Sequence, residues 1–321
     1  MVNIDSKKKK DKVLIILGPT ASGKSDLAVD LAKEFNGEVI SADSRQVYKG
    51  LDIGSGKITR KEMKGVPHYL LDVVYPRTIF TVTKFQKLAQ KQIKDILKRN
   101  KLPIICGGTG FYIQSLVDGI IFPEVKPDLV LRSKLETKTL EELILILDKL
   151  NPVRLKTIDF KNSRRLIRAI EIADSLGACL PDRQGSTLPV RQAGSKDSRD
   201  NFSEWEFLQI GIRIDKEILW KRIEKRFLLR IKLGIITEAK RLHQAGLTYK
   251  RFSEIGLAHK YLVFYLKGKI TKDKFIEESI RAEKKYAKRQ LTWFKRDKRI
   301  KWFSFDDETK IKNTVSTFLK K

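Results

Sequence analysis

Four residues near the start of the sequence carry the pattern of a phosphate-binding loop. The segment GPTASGKS fits G-x-x-x-x-G-K-[ST], whose fixed positions are Gly18, Gly23, Lys24 and Ser25. In such a loop the backbone N–H groups, here those of residues 20–25, surround phosphate oxygens together with the start of the next helix. The lysine adds a positive charge, and the serine hydroxyl is placed to hold Mg²⁺. The motif predicts a phosphate ligand but does not require a nucleotide.

Two further polar segments follow strand-like runs, ISADSRQVYKGLDIGSGK (residues 40–57) and CGGTGFY (residues 106–112). Open α/β sheets bind ligands at the carboxyl ends of their strands, where Asp43 could accept a proton and Thr109 could offer a hydroxyl. The glycines of the second segment would let its backbone approach a ligand closely. Simpler interpretations stay open, because Asp43 and Ser44 can start a turn and Thr109 can cap a helix.

The apolar pattern predicts alternating strands and helices in the first part of the chain. Val13–Leu17 is a short apolar run typical of a strand buried on both faces of a parallel sheet. Helical spacing over residues 24–35 places the loop motif between a strand and a helix, as its chemistry requires. Further strands are predicted at GEVISAD, HYLLDVV and LPIICGG, with helices over TVTKFQKLAQKQIKDILKRN and TGFYIQSLVDG. We therefore expect the α/β class, with a P-loop parallel sheet and helices on both faces.

The rest of the sequence predicts a helical insertion domain and a helical C-terminal part. Charged helical stretches follow the first part and end in a Gly, Pro and Ser-rich loop over residues 180–201. EFLQIGIRI returns to strand composition, and helices then lead to a short predicted strand, IKWFSF. We expect the first part of the core at residues 1–118, the insertion at 119–200 and the second part of the core at 201–321.

The chain is strongly basic, with 67 Lys and Arg residues against 39 acidic residues and a formal charge of +28. This excess indicates a polyanionic partner, most often nucleic acid, although a generally lysine-rich surface would give the same charge. Residues 281–301 hold ten basic residues against two acidic ones, a net charge of +8. Aromatic residues there can stack on bases or anchor a helix, and we expect Trp302 to be in the core. Tyr286, Gln290 and Trp293 lie on one helical face, predicted to turn inward.

The cysteine and histidine content gives no disulfide framework and no Cys/His metal site. Cys106 and Cys179 are the two cysteines, and the three histidines are scattered, which indicates a reducing environment. No apolar run reaches the roughly 20 residues of a membrane span, and no secretory leader pattern precedes the first strand. We expect a cytoplasmic protein without a membrane partner.

Seven segments of the sequence occur in the order typical of one enzyme family. They are GPTASGKS, SADSRQVYKGLDIGSGK, VPHYLLDV, GGTGFY, RRLIRAIEI, KRIEKRF and AKRQLTWFKR. The sequence resembles the tRNA dimethylallyltransferases, also called tRNA isopentenyltransferases, from Leu14 to Arg296, and DSRQVYKGLDIG with KRQLTWF is the most diagnostic part. The resemblance implies transfer of the dimethylallyl group of dimethylallyl diphosphate to N6 of adenine 37 in tRNA, with Mg²⁺ and without ATP hydrolysis. We expect a monomer.

The resemblance also assigns catalytic and diphosphate-binding roles. Asp43 matches the residue that accepts a proton from the adenine amino group, and Thr109 belongs to the same catalytic set. Arg222 is the arginine of KRIEKRF that we expect at the diphosphate, with Arg226 as second choice and a solvated helix face as the alternative. The predicted diphosphate ligands are Gly18, Thr20, Ala21, Ser22, Gly23, Lys24, Ser25 and Arg222. Ser25 is also the predicted Mg²⁺ ligand.

The tRNA contacts that the resemblance implies fall in four segments. They are Asp43, Ser44, Arg45, Gln46, Thr109, Arg132, Arg164, Arg165 and Arg168. The first four residues would line a pocket for the flipped-out base. Arg168 follows the other two arginines of SRRLIRAIEI by four and three residues, a spacing that suits a phosphate backbone, but these arginines could instead form ion pairs with Glu171.

Two other functions stay open. A small-molecule or nucleotide kinase would bind ATP in the same loop, and YLLDV could be its Walker B strand with Asp72, but a kinase leaves the charge of +28 and KRQLTWF unexplained. The second of these functions is that of a P-loop regulator that binds nucleic acid and has no prenyl-transfer activity.

The sequence departs from the family pattern in three places. Gly256-Leu257-Ala258 stands where the family has G-Y-[KR], so a tRNA contact there is not carried over. The loop at residues 180–201 matches nothing in the family, and the C-terminal Cys/His zinc module of eukaryotic relatives is absent.

Overall fold

Six parallel strands form the central sheet. The computed structural model describes residues 10–176 and 204–320, and its strands are β1 (Asp11–Leu17), β2 (Gly37–Ser41), β3 (His68–Tyr69), β4 (Leu102–Gly107), β5 (Trp205–Arg213) and β6 (Lys301–Ser304). Their order in the sheet is β3-β2-β4-β1-β5-β6, and every neighbouring pair is parallel. The predicted parallel sheet is confirmed. Parallel pairing puts the carboxyl ends of β1, β2 and β4 side by side.

Helices connect the strands and continue beyond them. Before β5 they are α1 (Lys24–Glu34), α2 (Arg60–Met63), α3 (Val82–Lys98), α4 (Gly110–Val117), α5 (Leu129–Leu135), α6 (Leu140–Leu150), α7 (Pro152–Thr157) and α8 (Ser163–Ser175). After β5 they are α9 (Lys216–Leu233), α10 (Ile235–Gln244), α11 (Tyr249–Ile255), α12 (His259–Leu266), α13 (Lys272–Phe294) and, following β6, α14 (Glu308–Lys320).

The two faces of the sheet are covered by different helices. On one face alternate residues of β1, such as Ile15, pack with Phe85 of α3, Phe227 of α9 and Phe275 of α13. On the other face the intervening residues of β1 pack with α1 and α14. Both sets of β1 side chains are fully buried, which explains why this strand has a continuous apolar run and not an alternating one.

The predicted strand HYLLDVV is wrong beyond its first two residues. Only His68 and Tyr69 pair with β2, because Leu70 and Asp72 have φ angles of 61° and 53° in the left-handed region, which a strand cannot contain. Val74 makes an isolated bridge to Tyr48. The carboxylate of Asp72 is exposed and pairs with Lys57, so YLLDV is not a Walker B strand.

The chain forms two compact units, Met1–Gly119 with Arg199–Lys321, and Ile120–Ser198. The second unit contains α5–α8 around a small apolar core that includes Leu143 and Leu166. The predicted loop at 180–201 and Cys179 lie outside the described residues.

A buried carboxylate organises the second unit. Glu171 of α8 accepts hydrogen bonds from Arg132 Nε at 2.6 Å and Nη2 at 2.7 Å, from Arg168 Nη1 at 3.2 Å and from the Asp128 N–H at 3.1 Å. Burial alone would raise the pKa of Glu171, but the hydrogen bonds from both arginines outweigh it and lower the pKa. The ion pair with Glu171, given above as the alternative, is therefore present for Arg168. Arg132 pairs with Glu171 as well.

The other two arginines of α8 face solvent. Arg165 pairs with Asp159 at 3.2 Å. Arg164 is exposed and has no ion pair within the described residues. Of the four arginines predicted in this unit, Arg164 has the guanidinium most available to an outside anion.

Candidate functional site

A cavity of about 1030 Å³, including the part open to solvent, lies at the carboxyl ends of β1, β2 and β4. The predicted site residues on its wall are Thr20, Lys24, Ser25, Asp43, Arg45 and Gln46. Other wall residues are Gly54, Ser55, Cys106, Arg226, Arg230, His259, Glu283, Tyr286 and Gln290. The phosphate-binding motif and Asp43 therefore share one cavity.

The loop between β1 and α1 depends on left-handed backbone at two positions. Ala21 has φ 62° and Gly23 has φ 87°. A methyl group on Gly23 would also lie 2.2 Å from the ring of Phe305, so glycine is required there by both conformation and space. The hydroxyl of Ser22 is buried and has no hydrogen-bond partner in the part of the chain that is described.

Two of the loop amides are already used by the protein. The Thr20 N–H donates to Gln290 Oε1 at 2.9 Å, and the Ser22 N–H donates to the Pro19 carbonyl at 3.3 Å. The expectation that all amides of residues 20–25 face phosphate is therefore wrong for Thr20 and Ser22.

The ammonium group of Lys24 lies folded over the loop. Its Nζ donates to the Pro19 carbonyl at 3.1 Å. Burial lowers the pKa of Lys24, and Arg226 lowers it further, whereas Cys106 and Asp43 raise it. A cation that is partly desolvated next to another cation gains stabilisation when an anion enters the cavity.

Arg226 and not Arg222 reaches the cavity from α9. The Arg226 guanidinium donates to Thr20 Oγ1 at 3.2 Å and to the Gly56 carbonyl at 2.7 Å. Burial and the neighbouring Arg230 lower its pKa. Arg222 instead lies over the ring of Phe305, 5.1 Å from its centroid, because it is one helical turn away from Arg226. The choice of Arg222 is corrected to Arg226.

Asp43 both starts a turn and faces the cavity. Its Oδ1 accepts the N–H of Arg45 at 2.8 Å and the N–H of Gln46 at 3.4 Å. Its Oδ2 has no hydrogen bond within the described residues. Asp43 therefore starts a turn, as one interpretation of the sequence predicts. It can still accept a proton, because the turn uses one carboxylate oxygen and leaves the other for a ligand.

Thr109 is at the N-cap position of α4 but makes no capping hydrogen bond. Its hydroxyl accepts the Ser44 N–H at 3.0 Å and lies next to the Tyr286 side chain. Burial and the nearby Asp43 raise the pKa of Tyr286. Thr109 therefore joins the turn after β2 to α13 beside the catalytic candidate.

The glycines of CGGTGFY make room for α13. Gln290 Nε2 donates to the Gly108 carbonyl at 2.8 Å. A methyl group on Gly108 would lie 2.2 Å from Gln290 Nε2, and one on Gly110 would lie 2.2 Å from the ring of Trp293. The inward face predicted for Gln290 and Trp293 is confirmed. The expectation that these glycines serve a ligand is wrong for Gly108 and Gly110, where a helix approaches.

Three charged residues in or next to the cavity wall could not be found from the sequence. Arg230 and Glu283 form a buried ion pair between α9 and α13, and Glu238 of α10 is buried against the loop that contains Gly54. Each is one charged residue among many on basic helices, so periodicity alone gives no sign of its burial.

The predicted tRNA contacts fall in both units. Arg45 Nη1 donates to the Glu254 carbonyl at 3.1 Å, and Gln46 Nε2 donates to the Gly56 carbonyl at 3.4 Å. These two side chains line the cavity, and Ser44 follows Asp43 in the same turn. Arg132 and the three arginines of α8 belong to the second unit.

Comparisons with known proteins converge on one family. A family model described as IPP transferase matches residues 46–297. The tRNA dimethylallyltransferase of Carboxydothermus hydrogenoformans is 41% identical over 303 residues, which is 93% of this chain and 94% of that protein. A tRNA dimethylallyltransferase of Acetivibrio thermocellus is 39% identical over 96% of this chain and 97% of its own length.

Solved structures agree with these matches. The tRNA isopentenylpyrophosphate transferase of Bacillus halodurans aligns with a TM-score of 0.71 and 34% identity over 97% of both chains. A eukaryotic dimethylallyltransferase, described as acting on tRNA, aligns with a TM-score of 0.73 and 25% identity over 92% of this chain and 74% of that one. Among the described residues, no helix has the length and apolar character needed to cross a membrane.

His259 is a buried, neutral histidine in the cavity wall. Neither ring nitrogen has a hydrogen-bond partner within the described residues. Burial, together with the charges of Arg45 and Arg230, lowers the pKa of His259 to about 3. In the unfolded chain the pKa of histidine is about 6.5. Between these values the unfolded state binds a proton that the folded state excludes, so stability falls as the pH falls.

We expect replacement of His259 by glutamine to flatten the pH dependence of stability. The free energy of unfolding, measured in urea at pH 7 and pH 5, should fall about 2 kcal/mol more for the wild type than for His259→Gln, because only the wild type must exclude this proton. Equal falls in the two proteins would show that His259 is protonated in the folded state.

Proposed function

Because the chain belongs to the IPP transferase family, we propose that it transfers the dimethylallyl group of dimethylallyl diphosphate to N6 of adenine 37 in tRNA and releases diphosphate. The observation that carries this proposal is the single cavity in which Asp43 and the phosphate-binding motif meet. The reaction needs two kinds of group near one allylic carbon. Cations must stabilise the leaving diphosphate, and a base must accept a proton from the attacking amine. The cavity has cationic groups at one end and a carboxylate near them.

Asp43 prepares the nucleophile. The lone pair of an adenine amino group is delocalised into the ring, so the amine attacks poorly unless a base accepts its proton. The turn holds Oδ1 with two N–H groups, which leaves Oδ2 to accept that proton. A positioned base of this kind accelerates a reaction about 10²–10⁴-fold. Thr109 fixes the turn on the side of α4.

Cationic groups stabilise the leaving diphosphate. Negative charge grows on the phosphate oxygens as the allylic carbon separates from them. Lys24 would leave the Pro19 carbonyl, and Arg226 would exchange its contacts with Thr20 and Gly56 for phosphate oxygens. Both cations are partly desolvated, so an anion binds to them more strongly than it would in water.

The donor set of the cavity fits Mg²⁺ held mainly by the substrate. Mg²⁺ keeps several waters and takes one or two protein oxygens together with phosphate oxygens. The Ser25 hydroxyl lines the cavity beside the phosphate motif, and the Asp43 carboxylate lines the same cavity. We propose Ser25 as the ligand. When bound, the ion would neutralise charge on the leaving diphosphate.

The tRNA partner accounts for the charge of +28. Adenine 37 must leave the anticodon stack to reach the cavity, which costs a few kcal/mol. We propose that Ser44, Arg45 and Gln46 hold the flipped nucleotide and that Arg164 contacts the tRNA backbone. We propose that the protein acts as a monomer, in the cytoplasm where tRNA is found.

Transfer of label tests the proposal against an ATP-dependent kinase. The protein is incubated with labelled dimethylallyl diphosphate, Mg²⁺ and an anticodon stem-loop that contains A36-A37-A38. We expect label in the RNA, and none when A37 is replaced by guanine. Turnover of ATP without label in the RNA would reject the transferase.

Replacement of Asp43 by asparagine should separate catalysis from binding. Asparagine keeps the oxygen that accepts the two turn N–H groups but cannot take a proton. We expect kcat to fall about 10²–10⁴-fold, while the Kd for the stem-loop stays within about threefold. A parallel loss of affinity would assign Asp43 to recognition instead of catalysis.

Arg226 and Arg222 can be compared on the same helix. Arg226→Lys should raise the KM for dimethylallyl diphosphate about tenfold or more. The guanidinium group can donate to two phosphate oxygens at once in a fixed geometry, and the lysine ammonium group cannot. Arg222→Lys should change it less than about threefold, and Lys225→Gln controls for charge on α9. The reverse order would restore Arg222 as the diphosphate ligand.

Replacement of two arginines in the second unit should have two different effects, one on RNA binding and one on the stability of the fold. Arg164→Ala should weaken stem-loop binding and reduce the slope of log K against log salt by about 0.7–0.9, the value for one lost phosphate contact. Arg132→Ala should mainly destabilise the fold, by about 1–3 kcal/mol, because it removes partners of the buried Glu171. An unchanged salt slope for Arg164→Ala would contradict its proposed role.

A further inference from the structure

A loop over residues 50–57, termed here the wall loop, forms one side of the cavity through Gly54 and Ser55. Its backbone is bound by Glu238 of α10, which is far away in the sequence and buried. Glu238 Oε2 accepts the N–H groups of Asp52 and Ile53, both at 2.8 Å, and Oε1 accepts the Gly54 N–H at 2.8 Å. Both oxygens of the carboxylate are therefore used by one short stretch of backbone.

The carbonyl groups of the wall loop are bound by arginines. Arg230 donates to the Gly54 carbonyl at 3.2 Å, Arg226 to the Gly56 carbonyl at 2.7 Å and Arg241 to the Gly50 carbonyl at 3.2 Å. The Glu238 carboxylate thus accepts hydrogen bonds from N–H groups of the loop, and the three guanidinium groups donate hydrogen bonds to its carbonyl groups. The loop thus has a defined backbone although it contains three glycines, which would otherwise leave it flexible.

Glu238 is not part of any salt bridge among the described residues, which sets it apart from Glu283 with its partner Arg230. A buried carboxylate without a cation is stabilised only by the N–H groups that point at it. The three N–H groups in turn have no second acceptor in the described structure. The loop conformation and the buried carboxylate therefore depend on each other.

The wall loop sets the position of a side chain that faces the nucleotide. Gln46 Nε2 donates to the Gly56 carbonyl at 3.4 Å. Gln46 has no other side-chain hydrogen bond in the described residues, so this carbonyl orients its amide. Arg226 also contacts Gly56, but a second hydrogen bond to Thr20 holds it on the phosphate motif. Displacement of the loop would therefore disturb Gln46 more than Arg226.

We propose that Glu238 is a positioning residue for tRNA binding. It touches no substrate, and it acts through the wall loop on Gln46 and on the side of the cavity that receives the nucleotide. The proposal rests on the transferase function proposed above. It goes beyond that function because it assigns Glu238 an effect on the binding of RNA and no effect on the binding of dimethylallyl diphosphate.

Glu238→Gln tests the proposal, because glutamine has the same shape but only one acceptor oxygen. With both substrates varied, we expect the KM for the stem-loop to rise about tenfold or more, the equivalent of one lost charge-assisted hydrogen bond. The KM for dimethylallyl diphosphate and kcat should stay within about threefold. Glu224→Gln on the exposed surface of α9 removes the same charge and controls for general attraction of RNA.

A second variant keeps the test valid if Glu238→Gln does not fold. Arg241→Ala removes an exposed side chain that holds Gly50 at the start of the same loop, and we expect a smaller rise of the KM for the stem-loop with the same selectivity. Equal changes in the kinetic constants for both substrates, or changes that match only the loss of folded protein, would overturn the positioning role.

Direct binding separates this inference from the proposed function. The Kd for the stem-loop, measured by fluorescence anisotropy, should rise for Glu238→Gln and not for Glu224→Gln. Absence of transfer by the wild type would reject the transferase, while the anisotropy comparison would still decide whether Glu238 shapes the RNA site. Equal Kd values for wild type and Glu238→Gln would overturn the positioning role even in an active enzyme.

Discussion

One buried amide holds the two halves of the site together. Gln290 accepts the Thr20 N–H and donates to the Gly108 carbonyl, so a single side chain joins the phosphate motif after β1 to the loop after β4. Both partners are backbone groups of otherwise irregular segments, and each would be costly to leave unpaired in the interior. The same pair of hydrogen bonds anchors α13 at this edge of the sheet, where Tyr286 lies next to Thr109.

The electrostatics of the cavity follow from which helices reach it. Lys24, Arg226 and Arg230 converge there, and Glu283 forms an ion pair with Arg230. Burial lowers the pKa values of Lys24 and Arg226, and repulsion by a neighbouring arginine lowers each of them further. An anionic ligand relieves this repulsion, which is the same condition that stabilises a leaving diphosphate. Asp43 is near enough to raise the pKa of Lys24, so this carboxylate and the cations belong to one electrostatic unit.

The parts of the fold that are local in sequence were predictable from it. The run at Val13–Leu17, the loop motif and the helix after it follow from spacing alone, and the resemblance located Asp43 and Thr109. Contacts between distant segments were not predictable, because they depend on where each helix lies against its neighbours: one turn along α9 separates Arg222 on Phe305 from Arg226 in the cavity. Glu238 and Gln290 act on backbone groups far away in the sequence, and such contacts leave no periodic pattern. The strand at HYLLDVV failed because the left-handed conformation of Leu70 and Asp72 is set by neighbouring loops.

The central claim is that this P-loop binds a leaving diphosphate opposite a carboxylate base. A crystal structure with inorganic pyrophosphate bound tests it most directly. The claim predicts phosphate oxygens at about 2.7–3.2 Å from Lys24 Nζ and from the Arg226 guanidinium, with Arg226 released from the Gly56 carbonyl and Asp43 Oδ2 open to the same cavity. Pyrophosphate bound outside this cavity, or Arg226 still on Gly56 with the anion elsewhere, would contradict it.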